Sequence, residues 1–414
     1  FNRKNNCSES VLQSYICRAI VTFGLNALHG RHKGRGRAWE GAWDSTNAYA
    51  FINYTVSKGY QIDSWEFGNE LSGSGVGASV NVEAYGKDLI KLKGIINNLY
   101  KSSHSKPSLL APGGFFEKDW YARLLQVSGP GIINSMTHHI YNLGAGDDPK
   151  LVSKILDPQF LSRVSRTFGN LSQTIQKNGP WASAWVGESG GAYNSGGRHV
   201  SNTFVNSFWY LDQLGLSSLY NTKVYCRQTL VGGNYGLLNR TTFVPNPDYY
   251  SALLWHRLMG KGVLAVESNA SPYLRSYAHC SKGRPGVTLV LINLSNKTEF
   301  VIGVQNGLNI NLHLENQSAH RRASFANSLK NRFSWIANKA SDGSFFREEY
   351  HLTAKDGNLQ SQTMVLNGIP VKLTDNGDIP NLKPVRNDVR SSIYVRPLSI
   401  AFVALPNFDA PACR

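Results

Sequence analysis

The sequence predicts an α/β protein with a (β/α)8 barrel over residues 19–258 and a β-sandwich domain over residues 259–414. In the first region, short apolar runs alternate with longer amphipathic ones, which is typical of strands and helices that build a parallel sheet. In the second region, the apolar runs are short and separated by turn residues, as in antiparallel sandwiches. Residues 1–18 match neither pattern and form an atypical N-terminal segment.

Six strand-like runs lie in the barrel region, at residues 19–25, 62–67, 108–111, 132–141, 182–186 and 223–230. Apolar residues recur every three or four positions over 82–99 and 204–214, which predicts two helices, and Gly215 is expected to end the second. A closed barrel of this type needs eight strands. We therefore expect two further βα units ahead of residue 19, from a longer gene product or a separate N-terminal subunit.

Glycines and polar residues follow these runs directly. They are Gly68-Asn69-Glu70, Gly113-Gly114, His138-His139, Gly187-Glu188-Ser189 and Arg227-Gln228. A parallel sheet can be doubly wound or closed into a barrel, but no Gly-rich phosphate-binding fingerprint follows a strand, which disfavours a nucleotide-binding sheet. Functional side chains at the carboxyl ends of parallel strands are typical of a (β/α)8 enzyme.

The formal net charge of +16 favours an anionic partner such as an acidic polysaccharide. A solvated basic surface is the alternative, and the basic run at residues 31–37 fits either interpretation. The sequence has no zinc-finger spacing, RNA-binding aromatic motif or long basic helix, so nucleic acid is not an expected partner. It has no apolar run of eighteen residues, so no transmembrane segment is predicted.

The cysteines and glycosylation sequons bear on the compartment. No C-x-x-C pair occurs, so neither a metal site nor a redox motif is predicted, and Cys226 is expected to be a buried free thiol. Sequons begin at Asn6, Asn53, Asn170, Asn239, Asn269, Asn293, Asn296 and Asn316. This density predicts a glycoprotein that is secreted to the cell wall or apoplast, resides in a lysosome or vacuole, or is associated with a membrane.

Glu70 and Glu188 each end a predicted strand. Taken singly, such a glutamate could simply stabilise the start of the following helix. Glycoside hydrolysis with retention requires two carboxyl groups about 5–5.5 Å apart. Two strand-end glutamates on one face of a barrel can supply this pair. One carboxyl group must attack the sugar and the other must supply a proton.

Five segments together resemble the plant heparanase-like proteins of glycoside hydrolase family 79. They are SWEFGNELSG (64–73), THHIYN (137–142), WASAWVGESGGAYNSGG (181–197), KVYCRQTLVGGNY (223–235) and NPDYYSALLWHRLMGKG (246–262). The resemblance extends from about residue 19 to the C-terminus. It implies a barrel with a β-sandwich that hydrolyses β-linked glucuronic acid with retention and without a metal or organic cofactor.

Residue by residue, the resemblance implies that Glu70 is the acid/base and Glu188 the nucleophile. The substrate-binding residues that it implies are Asn69, His138, His139, Tyr141, Gln228, Gly232, Gly233 and Tyr235. It also implies a disulfide between Cys280 and Cys413.

The segment after Glu70 departs from the mammalian family members, which have a basic heparan-binding loop there. Residues 71–78 are rich in Ser and Gly and carry no charge. This disfavours heparan sulfate and favours a smaller glucuronide or a glucuronic-acid-capped glycan. The alternatives to a β-glucuronidase are a catalytically inactive glycan-binding relative and a polyanion-binding protein.

Overall fold

The computed structural model describes residues 19–305, 346–406 and 408–414. The predicted N-terminal segment 1–18 lies outside the described residues. The chain divides into two compact units that interleave along the sequence. The first unit is Phe1–Tyr141, Val164–Ser189 and Tyr220–Gln228, and the second is Asn142–Arg163, Gly190–Leu219 and Thr229–Arg414. The predicted domain boundary at residue 258 stays a prediction.

Strands and helices alternate through residue 258. The strands are β1 (Thr22–Leu25), β2 (His32–Lys33), β3 (Trp39–Glu40), β4 (Ser64–Phe67), β5 (Ser108–Phe115), β6 (Ser135–Ile140), β7 (Gly144–Ala145), β8 (Ser183–Ser189), β9 (Ala192–Tyr193) and β10 (Thr222–Arg227). The helices are α1 (Thr46–Ser57), α2 (Val82–Leu99), α3 (Lys118–Ser128), α4 (Leu151–Ile155), α5 (Pro158–Ser162), α6 (Ser165–Asn178), α7 (Phe204–Leu219) and α8 (Pro247–Leu258).

The first unit is built on a six-stranded sheet in the order β1-β4-β5-β6-β8-β10, in which every neighbouring pair is parallel. Each of the six predicted runs coincides with one of these strands, which confirms the parallel α/β architecture. Because all six strands run in the same direction, their carboxyl ends lie together at one end of the sheet. Cys226 on β10, the last strand of the described sheet, is free, as predicted, but exposed rather than buried.

The helices of the first unit pack their apolar faces on this sheet. In α2 the buried residues Tyr85, Leu89, Leu92 and Ile96 repeat at helical spacing. The Asn81 side chain caps the helix by accepting hydrogen bonds from two first-turn amides. Together with the strands, these faces form one continuous apolar core. No described helix combines the length and apolarity that crossing a bilayer requires.

Helix α7 in the second unit corrects one expectation. Gly215 does not end it, since the helix continues to Leu219. The position instead requires glycine for packing, because an added Cβ would lie 2.3 Å from Cγ of Tyr277. Gly215 therefore permits the close approach of the Tyr277 ring and does not end the helix.

The rest of the second unit is rich in β-structure. Its strands are β11 (Met259–Leu264), β12 (Leu274–Ser281), β13 (Val287–Asn293), β14 (Phe300–Ile302), β15 (Phe346–Ala354), β16 (Met364–Leu366), β17 (Ile369–Pro370), β18 (Val385–Asp388), β19 (Ile393–Val395) and β20 (Ser399–Leu405). They form an eight-stranded sheet and the two-stranded β14–β19 sheet. Apolar residues of both sheets share one core, and Cys280 and Cys413 form a disulfide in this unit.

Candidate active site

Glu70 follows β4 in a turn that depends on a glycine. Gly68 has φ +78°, and an added Cβ would lie 2.9 Å from the Tyr85 hydroxyl oxygen. Glu70 itself has φ +54°, a left-handed conformation that costs a non-glycine residue on the order of 1 kcal/mol. Its amide donates to the Gly113 carbonyl of β5 at 2.6 Å and its carbonyl accepts from Val76. The backbone therefore fixes this carboxyl group at the end of the sheet.

Glu188 lies on β8 beside β6. His139 of β6 is paired with Glu188, while His138 is paired with Val186, so a bulge forms at Gly187. Bulges re-aim the side chains that follow them. The Tyr141 hydroxyl, just beyond the end of β6, donates to Glu188 Oε1 at 2.6 Å. The nucleophile candidate is thus held by a neighbouring strand.

His139 lies between the two glutamates. Its Nδ1 is 3.0 Å from Glu70 Oε1 and 3.9 Å from Glu188 Oε2. The imidazole is 2% exposed, whereas the side chains of Glu70 and Glu188 are 20% and 27% exposed. One ligand atom from each of the three residues lies within 4.8 Å of the others. An approach of this size between one oxygen of each carboxyl group is compatible with the separation of about 5–5.5 Å between the carboxyl groups in retaining glycosidases.

The same three side chains could also hold a metal ion, because carboxylates and imidazole are ordinary metal ligands at such spacing. The sequence predicts catalysis without a metal, and this stays a prediction. It is tested by activity after exhaustive treatment with a chelator, which we expect to be unchanged.

Glu66 is a third carboxyl group in the sheet interior. Its place between Trp65 and Phe67 on a predicted strand indicates an interior group with satisfied hydrogen bonds rather than a catalytic one. Its Oε1 is buried and has no hydrogen-bond partner among the described residues. Burial raises the pKa of Glu66 above its ordinary value, and the nearby Glu188 charge adds to this, against the opposing effects of Thr137 and His139. The interior position agrees with the sequence-based expectation, but full hydrogen-bond satisfaction does not, because Oε1 has no partner among the described residues.

The two neighbouring histidines are both buried but have different contacts. His138 is fully buried, lies against the Phe168 ring and has Nδ1 2.8 Å from the Trp185 carbonyl. Burial lowers the pKa of His138 to about 4, although that carbonyl opposes the effect. The structure does not bring His138 to the carboxyl groups, so we omit it from the proposed substrate contacts.

The other predicted substrate residues are distributed over both units. Asn69 is exposed beside Glu70, and Gln228 is half-buried in the first unit, where its amide donates to the Ser189 carbonyl. Gly232, Gly233 and Tyr235 belong to the second unit. The predicted roles of these five residues in substrate binding stay predictions.

Comparison with known proteins relates this chain to a family. Residues 10–215 match the N-terminal domain of glycosyl hydrolase family 79. The chain is 65% identical over 95% of its length to Heparanase-like protein 2 of Arabidopsis thaliana and spans 73% of that relative. It is 38% identical over 93% of its length to the Baicalin-beta-D-glucuronidase of Scutellaria baicalensis and spans 69% of that protein.

A likeness among solved structures concerns the fold alone. The α-L-arabinofuranosidase of Thermotoga maritima has a TM-score of 0.59 at 13% identity, covering 97% of this chain and 78% of its own. This supports the barrel type of architecture that the parallel sheet indicates. Sequence and fold together identify the chain as a glycosidase of family 79, and within that family it belongs with the plant heparanase-like proteins.

Proposed function

We propose that this glycosidase is a retaining β-glucuronidase in which Glu70 is the acid/base and Glu188 the nucleophile. The observation that carries the proposal is the meeting of these two carboxyl groups at one end of the sheet, within 4.8 Å and around one imidazole. The glucuronide specificity rests on the sequence motifs and on the 38% identical relative named as a glucuronidase.

The first step joins the sugar to the enzyme. Glu188 Oε1 accepts the Tyr141 hydrogen bond, which leaves Oε2 to attack the anomeric carbon and form a glycosyl ester. The carbon–oxygen bond to the leaving group breaks as Glu70 transfers its proton to that oxygen. With the proton of His139 on Nδ1, the imidazole donates to Glu70 Oε1 and leaves Oε2 to carry the transferred proton.

The second step releases the sugar. Glu70, now ionised, takes a proton from water while that water attacks the anomeric carbon. The ester bond breaks, Glu188 returns as a carboxylate and glucuronic acid leaves with its original β configuration. The partial exposure of both carboxyl groups leaves room for the entering water.

The glucuronate carboxylate needs a separate recognition element, and we propose the turn at residues 232–235 for it. Gly232 and Gly233 have positive φ values of +129° and +60°. Asn234 stabilises the turn through its amide to Ser195 and its side chain to Gly196. Successive glycine amides can bind an anion without a cationic side chain.

One assay with two readouts tests the proposed function. The purified protein is given chromogenic β-glucuronide, β-glucoside and β-galactoside, and the first-formed sugar anomer is followed by proton NMR. We expect turnover of the glucuronide alone and initial formation of the β anomer. An initial α anomer would exclude retention, and a preference for glucoside would exclude the glucuronidase assignment.

A second candidate function, acidic-glycan binding, is favoured by the β2–β3 hairpin. Its His32, Lys33, Arg35 and Arg37 are exposed. The Ser79 amide donates to the Arg37 carbonyl, which joins the hairpin to the loop that follows Glu70. We propose that this surface attracts acidic polymers to the site.

A triple variant tests the hairpin. The variant in which Ser replaces Lys33, Arg35 and Arg37 should have a higher KM for a polymeric acidic substrate. Its KM for a small glucuronide should be unchanged. Arg31 is left unchanged because it is buried, pairs with Asp88 and supports the loop through the Ala27 and Gly41 carbonyls. Equal effects on both substrates would remove the proposal, and salt-sensitive binding without any turnover would favour a purely binding protein.

We also propose passage through the secretory pathway. Asn53, Asn269 and Asn296 are exposed and accessible to glycosylation. Asn293 is fully buried and its amide donates to three carbonyls, so we expect that sequon to stay unmodified. Mass spectrometry of the plant-expressed protein should find glycans at exposed sequons and none at Asn293. A fully unglycosylated protein would contradict this localisation.

A further inference from the structure

Phe115 is a large apolar side chain left in solvent at the end of an otherwise buried strand. The six residues that precede it on β5 are all buried, whereas Phe115 is 40% exposed. A single exposed aromatic residue is common on protein surfaces and carries no meaning alone. Its position relative to the carboxyl groups is what makes it informative.

The Phe115 ring lies against the two residues that contact the carboxyl groups. Its centroid is 6.3 Å from the His139 ring and 6.4 Å from the Tyr141 ring, within the range of aromatic contacts. His139 in turn contacts Glu70, and Tyr141 contacts Glu188. The exposed ring therefore belongs to the rim of the catalytic site.

The backbone places Phe115 on the side of the acid/base. Its carbonyl accepts from the Ser72 hydroxyl at 3.2 Å, two residues beyond Glu70. The Glu70 amide donates to Gly113, two residues before Phe115. Strand β5 lies next to β4, which leads into Glu70, and β6 separates it from β8, which carries Glu188.

This sidedness has a chemical consequence. The acid/base protonates the oxygen of the leaving group, so groups beside it face the aglycone half of the substrate rather than the glucuronic acid. The neighbouring segment 71–78 carries no charge. An apolar ring beside an uncharged segment suits a flat apolar face better than a sulfated sugar.

We propose that Phe115 is the platform of an aglycone subsite that stacks on a flat, apolar ring face of the leaving group. Two kinds of leaving group offer such a face, an aryl ring and the C–H face of a pyranose. The inference rests on the proposed glucuronidase activity and names the substrate class of that site. Phe115 is a specificity-determining residue that takes no part in proton transfer.

The test compares leaving groups with and without a ring. Phe115→Ala should lower kcat/KM for phenyl β-glucuronide about tenfold, and leave an alkyl β-glucuronide without a ring within twofold of the unchanged protein. Phe115→Tyr should restore the phenyl substrate. A β-glucuronosyl pyranoside tests the second kind of leaving group. An equal loss of kcat/KM for this substrate in Phe115→Ala would show that Phe115 also stacks on the C–H face of a sugar.

Trp181→Ala is the matched control, because Trp181 is 39% exposed in the same unit but precedes β8 at its amino end. It should leave all three substrates unaffected. The inference is overturned if Phe115→Ala affects ring and alkyl substrates equally, or neither.

A binding measurement separates this inference from the proposed function. In a Glu188→Gln background, calorimetry with phenyl β-glucuronide should show about tenfold weaker binding when Phe115 is also Ala. If the unchanged protein hydrolyses no glucuronide, the proposed function fails, and the binding data still decide the subsite. Equal affinity with Phe and Ala at position 115 would refute the platform.

Discussion

Two regions of this molecule place a glutamate against a histidine, and they differ in what surrounds the contact. At the carboxyl ends of the parallel strands, His139 lies between Glu70 and Glu188, whose side chains are 20% and 27% exposed. On β15, Glu349 is 4% exposed and contacts both Arg347 and His351 at 2.5 Å. The first arrangement leaves carboxyl groups accessible to a substrate, while the second encloses one between a guanidinium and an imidazole.

The difference teaches how to separate a reactive carboxyl group from a structural one. Burial alone would raise the pKa of Glu349, but hydrogen bonds from His351, Asn387 and Arg347 outweigh it and hold that pKa at about 2. Such a group stays ionised and cannot exchange protons near neutral pH. We therefore expect substitutions at the carboxyl ends of the parallel strands to change activity and substitutions on β15 to change stability.

Glu188→Gln should give the largest effect, a fall in kcat of about 10⁴-fold, because the amide cannot attack the anomeric carbon. The fold should be unaffected, since Gln can still accept the Tyr141 hydrogen bond. Steady-state kinetics with a chromogenic glucuronide and a thermal melt measure the two properties. Substantial residual activity would place the nucleophile elsewhere.

Glu70→Gln should give the next largest effect, and its size should depend on the leaving group. With an alkyl glucuronide we expect a loss of about 10²- to 10⁴-fold, because general acid catalysis contributes about that much. An activated leaving group departs with little protonation, so the loss in kcat/KM should then be much smaller. Equal losses on both substrates would contradict the acid role.

Glu349→Gln should spare activity and reduce stability. A pKa of about 2 against the ordinary 4.5 corresponds to roughly 3 kcal/mol of stabilisation at neutral pH. Because the folded-state pKa is lowered, this contribution is complete above pH 4.5 and is lost as the pH falls towards 2. Denaturant unfolding should show a stability gap at pH 7 that shrinks below pH 4, and a constant gap would refute the ion-cluster account.

Glu66→Gln should give the smallest effect, with the opposite sign of pH dependence. The folded-state pKa of Glu66 is raised by burial, so the folded protein binds more protons than the unfolded chain above pH 4.5 and loses stability there. The variant escapes this loss, so its stability relative to the unchanged protein should increase as the pH rises from 4.5. A pH-independent difference in unfolding free energy would count against a raised pKa.

The sequence was sufficient for the parallel sheet because buried strands are continuous apolar runs with clear boundaries. It also singled out Glu70 and Glu188, since each stands directly after a glycine or a Gly-Asn pair near the carboxyl end of a predicted strand. It could not separate His138 from His139. Adjacent strand residues point to opposite faces, and which face is inward depends on the register with β8 and its bulge.

Other features depend on tertiary contacts that no local pattern encodes. Phe115 and Phe116 are adjacent residues of the same type, yet the first is exposed and the second packs on the core. Gly215 has the position of a helix stop but serves the approach of the Tyr277 ring. The hydrogen bonds between the basic hairpin and the segment after Glu70 join residues about forty positions apart.

The central claim is that Glu188 forms the covalent bond to the sugar, and trapping of that bond tests it most directly. A 2-deoxy-2-fluoro-β-glucuronide with an activated leaving group should form the glycosyl ester quickly and hydrolyse it slowly, because fluorine destabilises both transition states. Mass spectrometry of the digested protein should find one added fluoroglucuronosyl group, on the peptide that contains Glu188. A label on another residue, or turnover of β-glucuronides with inversion and no adduct, would contradict the account.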